Sequence, residues 1–321
     1  MDILLAGVLF LAGLLVLMFS ADWLIQSGVK FAFLLRLSPL FIGLVLVAFG
    51  TSCPEAGVGV MAAIRDQKGI ALGNVIGSNV ANIGLILGLC SIFYPLPVQR
   101  SMWRREVPVM LASVVLLYGL SIDGMISRLD GCLLLAVFVL FLILSLRSSR
   151  SHSLEDELRE FRLKKIFDSI RSRTAAGVVM VISIAGVVLG ADLMVRGGTT
   201  LAELFGVRPW VIGITVFAVG TSLPELGASL AASVRKVPGI GLGNVVGSNI
   251  FNILFVLGLV ALIRPIPVPR TLLGFEYPML IVFTLVLALF MRSHYRITRM
   301  EGVVFLAGYA AFLFWVVRHG G

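Results

Sequence analysis

Gly50-Thr-Ser-Cys-Pro-Glu55 is the motif around which this chain is organised, and it returns as Gly220-Thr-Ser-Leu-Pro-Glu225. Each copy sets a carboxylate inside a long apolar segment. An ionisable side chain at such a position is costly and marks a functional site by default. Because both copies keep the same order of threonine, serine, proline and glutamate, the two carboxylates point to one shared site.

The composition is that of a membrane protein. Hydrophobic residues make up 59% of the 321 residues and charged residues 13%, whereas a soluble domain carries about 25% charged residues. Apolar runs this long predict membrane-spanning helices. The net charge of +9 comes from basic residues in loops, which indicates topology rather than nucleic-acid binding. The first span has no basic start and no cleavage site, so we expect a retained helix.

Five predicted spans precede a polar central segment and five follow it. Residues 148–173 predict a cytoplasmic loop with a short amphipathic helix, which leaves residues 1–147 and 174–321 as two five-helix units. The predicted spans are Ile3–Leu35, Pro39–Ile64, Ile70–Tyr94, Val107–Leu120, Leu129–Leu146, Ala175–Phe205, Pro209–Val234, Ile240–Leu262, Tyr277–Met291 and Val303–Val317.

The second unit repeats the first at an offset of 170 residues, so that Asn74 matches Asn244. After one added residue, Ser127-Arg-Leu-Asp130 aligns with Thr298-Arg-Met-Glu301. Apolar composition alone cannot align polar residues in this way. Since five is odd, tandem copies enter the membrane from opposite sides, as in many secondary transporters with a site at the midplane. The sequence therefore predicts an all-α membrane protein of ten transmembrane helices in two inverted repeats.

Basic residues set the expected orientation. Eighteen of the 26 Lys and Arg residues lie on the side of the central loop. The positive-inside rule then predicts a multi-pass protein of the cell (inner) membrane with a cytoplasmic central loop and both termini outside.

The chemistry of the motif favours a hard cation. Pro54 has no N–H for the carbonyl of Gly50, so the helix should open there and expose backbone carbonyls. Thr51, Ser52 and Glu55 can converge on one helix face. Carboxylate, hydroxyl and carbonyl oxygens suit Ca²⁺ or Na⁺ and do not select zinc or copper.

The next span of each unit adds a polar stripe at every fourth residue. The stripes consist of Asn74, Ser78 and Asn82 in the first unit and of Asn244, Ser248 and Asn252 in the second. Single serines and threonines in membrane helices often bond their own backbone, and the glycine pairs beside them are typical of helix packing. The two glutamates differ, because their spans hold no Lys or Arg. Protonation or a bound cation must neutralise them.

Other polar residues give weaker signals. Asp22 and Asp192 stand near helix ends and are left outside the predicted site. The three cysteines have no metal-ligand spacing, so we expect them to be buried as small apolar residues. The histidines fall in loops or the tail, which gives little support for a proton relay.

These motifs resemble those of the calcium/cation antiporter superfamily, and within it the prokaryotic sodium/calcium exchangers. The resemblance rests on both Thr-Ser-X-Pro-Glu motifs and on Gly73-Asn-Val-Ile-Gly-Ser-Asn79 with Gly243-Asn-Val-Val-Gly-Ser-Asn249. It implies exchange of Ca²⁺ for Na⁺ by alternating access at a midplane site. The ion ligands that it implies are Glu55, Glu225, Thr51, Thr221, Ser52, Ser222, Ser78, Ser248, Asn82, Asn252 and the carbonyls of Ala48 and Ala218.

The coupling ion stays open at this point. Potassium-dependent relatives typically carry Asp where this chain has Asn252, and proton/calcium exchangers carry a further acidic residue after the Gly-Asn motif, which is absent here. Both differences favour sodium over potassium or protons. Two carboxylates match one Ca²⁺ or two Na⁺, and their repulsion in an empty site favours obligatory exchange.

Two other function classes fit less well. A cation channel would also use carboxylates and carbonyls, but channel pores are usually completed by several subunits. An intramembrane hydrolase would need a catalytic set that the spans do not contain, so we expect no enzyme activity. No cofactor and no obligate protein partner are implied, and the expected partners are Ca²⁺, Na⁺ and the lipid bilayer.

Overall fold

The computed structural model describes residues 2–34, 52–148, 172–234 and 238–319, and these residues are almost entirely helical. Helices are the expected form, because a backbone within lipid must satisfy its polar groups internally. The helices of the first half are α1 (Ile3–Leu34), α2 (Cys53–Ile64), α3 (Lys68–Ala81), α4 (Gly88–Phe93), α5 (Arg100–Ser121) and α6 (Arg128–Ser148). Those of the second half are α7 (Arg173–Phe205), α8 (Pro209–Ile212), α9 (Ala218–Thr221), α10 (Leu223–Val234), α11 (Pro238–Phe251), α12 (Leu257–Ile263), α13 (Arg270–Gly274), α14 (Glu276–His294) and α15 (Arg299–His319).

Three π-helical turns interrupt the helices that surround the core in the described part of the chain. They are π1 (Asn82–Leu87), between α3 and α4, π2 (Gly213–Phe217), between α8 and α9, and π3 (Asn252–Val256), between α11 and α12. A π-turn widens the helix by one residue and is frequent at functional sites. Two of the three begin at the matched asparagines Asn82 and Asn252.

Helix α3 forms the centre of the molecule, since every residue from Ile70 to Ala81 is buried. Its glycines allow backbones to meet: a Cβ atom added to Gly73 would lie 3.0 Å from the Ile214 nitrogen, and one added to Gly77 would lie 2.7 Å from the Ile214 Cα atom. The predicted packing role of this glycine pair is therefore confirmed for the first half.

Helices α1 and α7 pack against each other in opposite directions. A Cβ atom on Gly13 would lie 2.7 Å from the Gly190 carbonyl, and one on Gly197 would lie 2.7 Å from the Ala6 carbonyl. Residue numbers thus rise along one helix as they fall along the other. A large part of the outward surface of this pair is apolar, which is the surface expected of helices facing lipid.

Two short strand pairs join the halves. Leu96–Pro97 (β1) pairs antiparallel with Arg296–Ile297 (β4), and Met125–Ile126 (β2) pairs with Ile266–Pro267 (β3). By the sequence offset, β1 corresponds to β3 and β2 to β4. Each strand therefore pairs with the non-equivalent strand of the other half.

The duplicated Ser127 and Thr298 motifs begin α6 and α15 in the same way. The Ser127 backbone N–H donates to Asp130 Oδ2 over 2.7 Å, and the Thr298 N–H donates to Glu301 Oε2 over 2.7 Å. The Asp130 and Glu301 N–H groups bond back to the Ser127 and Thr298 hydroxyls. These are capping boxes, which satisfy backbone donors at the first turn of a helix.

Eight helices in the described part of the chain are long and apolar enough to cross a membrane. Two of the ten predicted spans are not among them. Of Pro39–Ile64, residues 39–51 lie outside the described residues, and α2 is a shorter apolar helix. The predicted Val107–Leu120 is part of the longer α5, in which every 18-residue stretch contains Arg104, Arg105 and Glu106.

Candidate functional site

The two motif glutamates occupy equivalent positions in the interior. Glu55 lies in the first turn of α2, and Glu225 lies in the first turn of α10. Both side chains have no solvent exposure. The amino-terminal turn of a helix carries unpaired N–H groups and a partial positive charge, which favours a carboxylate there.

A break in the helix creates the amino terminus of α10, and the residue before α2 has a similar backbone conformation. Helix α9 ends at Thr221, Ser222 adopts φ −84° and ψ 4°, and α10 begins at Leu223. Ser52, which precedes α2, has nearly the same angles, φ −88° and ψ 6°. The cause is the proline of the motif, which has no N–H to continue the ladder. The opening predicted at Pro54 involves residues outside the described part of the chain, and the equivalent break is present before Pro224.

Each glutamate accepts a hydrogen bond from a serine. Ser222 Oγ donates to Glu55 Oε1 over 3.2 Å, and Ser248 Oγ donates to Glu225 Oε1 over 3.4 Å. The Glu55–Ser222 bond crosses between the halves, whereas the sequence predicted convergence within a single motif. The other oxygen of each carboxylate, Oε2, is buried and has no hydrogen-bond partner among the described residues.

Thr221 links the second motif to the polar stripe of α3. Its hydroxyl donates to Asn74 Oδ1 over 3.1 Å and lies 3.4 Å from Ser78 Oγ. Ser78 Oγ also lies 3.4 Å from the Ala218 carbonyl, which accepts its proton. Asn74 was part of the predicted stripe but not of the predicted ligand set, and the structure places it in direct contact with Thr221.

The last asparagine of the polar stripe has different hydrogen bonds in the two halves. Asn82 Nδ2 donates to Asn249 Oδ1 over 2.9 Å. Asn252, which matches Asn82, is fully buried, and neither side-chain atom has a partner among the described residues. Asn249 was missed as a functional residue, although the repeated Gly-Ser-Asn motif contains it.

Several oxygen atoms in this region are buried without a partner in the described part of the chain. They are Glu55 Oε2, Glu225 Oε2, Ser52 Oγ, Asn82 Oδ1 and Asn252 Oδ1. Buried polar atoms normally find a hydrogen bond, so a cluster of exceptions needs an explanation. Oxygen atoms of this type are the ligands that Na⁺ and Ca²⁺ prefer. The described residues hold no group of three or more His, Cys, Asp or Glu that could bind a metal ion.

Two predicted ligands, Thr51 and Ala48, lie outside the described residues. The remaining ten are described, and all ten are buried. Together with the bonds above, this brings predicted ligands of both halves into one interior region.

The predictions for the cysteines and for Asp192 have different outcomes. Cys53 and Cys90 are buried as expected, but the expectation was wrong for Cys132, which is exposed on α6. This follows from its position on a helix with many outward-facing apolar side chains. Asp192 forms ion pairs with Arg65, at the end of α2, and with Arg196 Nε at 2.9 Å, which fits a structural role.

Comparison with known proteins assigns the chain to a family. The sequence profile described as sodium/calcium exchanger protein matches residues 5–147 and 175–318. The chain belongs to the sodium/calcium exchanger family. The sodium/calcium exchanger MaX1 of Methanosarcina acetivorans is 33% identical over 95% of this chain and 96% of its own. The inner membrane protein YrbG of Escherichia coli is 33% identical over 98% of both chains.

Solved structures of a family member share the fold. The sodium-calcium exchanger NCX_Mj, soaked with Na⁺ and Sr²⁺, matches with a TM-score of 0.67 and 32% identity, covering 98% of this chain and 99% of its own. The exchanger described here is thus a multi-pass membrane antiporter and not an enzyme. The resemblance read from the two motifs is confirmed.

Proposed function

We propose that this exchanger moves Ca²⁺ in one direction and Na⁺ in the other, by alternating access at one site between two inverted five-helix repeats. The observation that carries the proposal is the pair Glu55 and Glu225, both fully buried, each with one carboxylate oxygen that has no hydrogen-bond partner among the described residues. Relatives named as sodium/calcium exchangers, such as MaX1 and NCX_Mj, support the choice of ions.

Charge balance explains why exchange is expected at this site. Two carboxylates in a low-dielectric interior repel each other, and an unpaired buried charge is costly. One Ca²⁺ or two Na⁺ would remove both penalties, and the open oxygens suit either ion. Both ions would use the same carboxylates, so one must leave before the other binds. The empty site would resist closure, which makes the exchange obligatory.

Two features of the fold support inverted repeats. Helices α1 and α7 are equivalent in the sequence alignment and pack in opposite directions, as two inverted copies would. The strand pairs fit as well. Strand β1 follows the third predicted span, and its partner β4 follows the ninth. Since each span crosses the membrane once, the two paired strands lie on the same membrane side only when the second repeat is inverted relative to the first.

Alternating access needs parts that can move past the site. The α1–α7 contact is lined by glycines, which leaves few side chains to interlock. We infer that this pair slides across the α2 and α10 helices while these hold the ions. The positive-inside rule further supports a cytoplasmic central loop and both termini outside in the cell (inner) membrane, and the name of YrbG agrees with that membrane.

Reconstituted vesicles test the coupling ion. We expect vesicles loaded with Na⁺ and diluted into Na⁺-free buffer to take up ⁴⁵Ca, while vesicles loaded with choline do not. Glu55→Gln and Glu225→Gln should each abolish the uptake, because either change removes one of the two charges that Ca²⁺ matches. Asp66→Asn is a control, since Asp66 is exposed at the end of α2.

The same vesicles distinguish the alternatives. Uptake that ignores sodium but follows a pH gradient would overturn sodium coupling and make the protein a proton antiporter. Uptake that needs K⁺ together with Na⁺ would indicate a potassium-coupled exchanger. Passage of ⁴⁵Ca with no counter-ion on the opposite side would indicate a channel.

A further inference from the structure

Asn249 makes two contacts with the opposite half of the molecule through one side-chain amide. It lies on α11 and is 1% exposed. Its Nδ2 donates to the backbone carbonyl of Asn79 over 3.4 Å, and its Oδ1 accepts from Asn82 Nδ2 over 2.9 Å. Both partners lie at the junction of α3 and π1 in the first half.

The donor and the acceptor of each of these two hydrogen bonds are fixed. A backbone carbonyl can only accept, so the NH₂ group of Asn249 must face the Asn79 carbonyl. Its oxygen then faces Asn82, so Asn82 must donate a hydrogen bond through its own NH₂ group. The Asn82 Oδ1 atom is consequently turned away from Asn249. It is buried and has no partner among the described residues.

We propose that Asn249 is a positioning residue, which orients the Asn82 amide so that its oxygen faces the ion. The proposal rests on the proposed function, in which Asn82 belongs to the ion site. An amide turned the other way would present an NH₂ group, which repels a cation. Hydrogen bonds from a second layer commonly hold metal ligands in the right orientation, and their loss costs about 10–100-fold in affinity.

The equivalent pair, Asn79 and Asn252, lacks this arrangement. Asn79, which matches Asn249, donates its Nδ2 to the Val75 carbonyl of its own helix over 2.8 Å. Asn252, which matches Asn82, has no partner on either side-chain atom in the described part of the chain. The two halves share these residue types, yet the bond that joins Asn249 to Asn82 has no counterpart between Asn79 and Asn252.

A double-mutant cycle tests the assignment by ⁴⁵Ca exchange in vesicles. We expect Asn249→Leu to raise the half-saturating Ca²⁺ concentration about tenfold, with little change in the maximal rate. An aspartate at position 82 presents an oxygen in either orientation. In the Asn82→Asp background, Asn249→Leu should therefore change the half-saturating concentration by less than about twofold.

Thr284→Val is the control, because the Thr284 side chain is equally buried and donates to the Leu280 carbonyl of its own helix. An equal loss of affinity in Thr284→Val and Asn249→Leu would overturn the assignment, as would a tenfold effect that persists with Asn82→Asp. If Asn249→Leu does not yield a monodisperse protein in detergent, Asn249→Ala enters the same cycle.

Asn82→Ala separates this inference from the function on which it rests. Unchanged Ca²⁺ affinity in Asn82→Ala would remove Asn82 from the ion site and contradict the proposed ligand set. Weakened affinity in Asn82→Ala beside normal affinity in Asn249→Leu would overturn the positioning role alone.

Discussion

A side chain of one half binds a proposed ion ligand of the other. Ser222 follows the helix break in the second half, yet its hydroxyl donates to Glu55 of the first half. Hydrogen bonds to a charged acceptor are stronger than neutral ones. The serine therefore holds a buried carboxylate in place, while the second oxygen of Glu55 has no hydrogen-bond partner among the described residues.

Replacing Ser222 should weaken ion binding. We expect Ser222→Ala to raise the half-saturating Ca²⁺ concentration about tenfold, because a lost bond to a charged group costs about 1.5–3 kcal/mol. Transport of ⁴⁵Ca over a range of Ca²⁺ concentrations measures this. Ser183→Ala is the control, since Ser183 is equally buried but bonds only the Val179 carbonyl of its own helix. Equal behaviour of the two variants would contradict a special role for Ser222.

The sequence predicts the residues of the site better than their contacts. Glu55 and Glu225 are identifiable because a carboxylate in an apolar span needs a reason, and Pro224 shows where the helix must open. The bond from Ser222 to Glu55 could not be predicted, since spacing along one helix says nothing about which helix lies opposite. The orientation of the Asn249 amide could not be predicted either, because it depends on the Asn79 carbonyl, which only the folded structure brings near.

The contact between α1 and α7 depends on the absence of side chains. A Cβ atom on Gly190 would lie 2.8 Å from both the Gly13 carbonyl and the Leu17 Cα atom. Backbone atoms cannot move aside in the way that a flexible side chain can. The two helices can approach this closely only because glycine stands at these positions.

A larger residue at Gly190 should separate the helices. We expect Gly190→Val to destabilise the protein by about 1–3 kcal/mol, as overpacking of a tight contact does, and to slow exchange. The melting temperature in detergent and the exchange rate per folded protein measure the two effects. Gly177→Val on the same helix is the control, because a Cβ atom there would meet nothing within 4 Å. Wild-type stability and rate in Gly190→Val would show that close contact is not needed.

The sequence predicts a helix well where the length of an apolar run is the only information needed. The long spans of α1, α7 and α15 follow directly from hydropathy. The π-turns beginning at Asn82 and Asn252 were not predicted, because they change the hydrogen-bond register without changing the apolar pattern. The ion pair of Arg65 with Asp192 was also missed, since it joins residues far apart in the chain that only the packing of α2 on α7 brings together.

The whole molecule is a duplicated chain whose copies are not used identically. The offset of 170 residues gives each ligand a counterpart, and the antiparallel α1–α7 contact fits two inverted copies. The hydrogen bonds nevertheless differ, as Asn82 and Asn252 show. Sequence comparison gives the equivalence of the copies, but their differences arise from the particular arrangement of the helices. One shared site between two copies is the central claim for this exchanger.

Efflux of ²²Na from loaded vesicles tests that claim most directly. We expect ²²Na to leave when Ca²⁺ or Na⁺ is present outside and to stay inside when the outer buffer contains only choline. Glu55→Gln and Glu225→Gln should each stop both forms of efflux, because the proposed site needs one carboxylate from each half. Efflux into choline, or calcium-driven efflux that survives the loss of either glutamate, would contradict a single shared site.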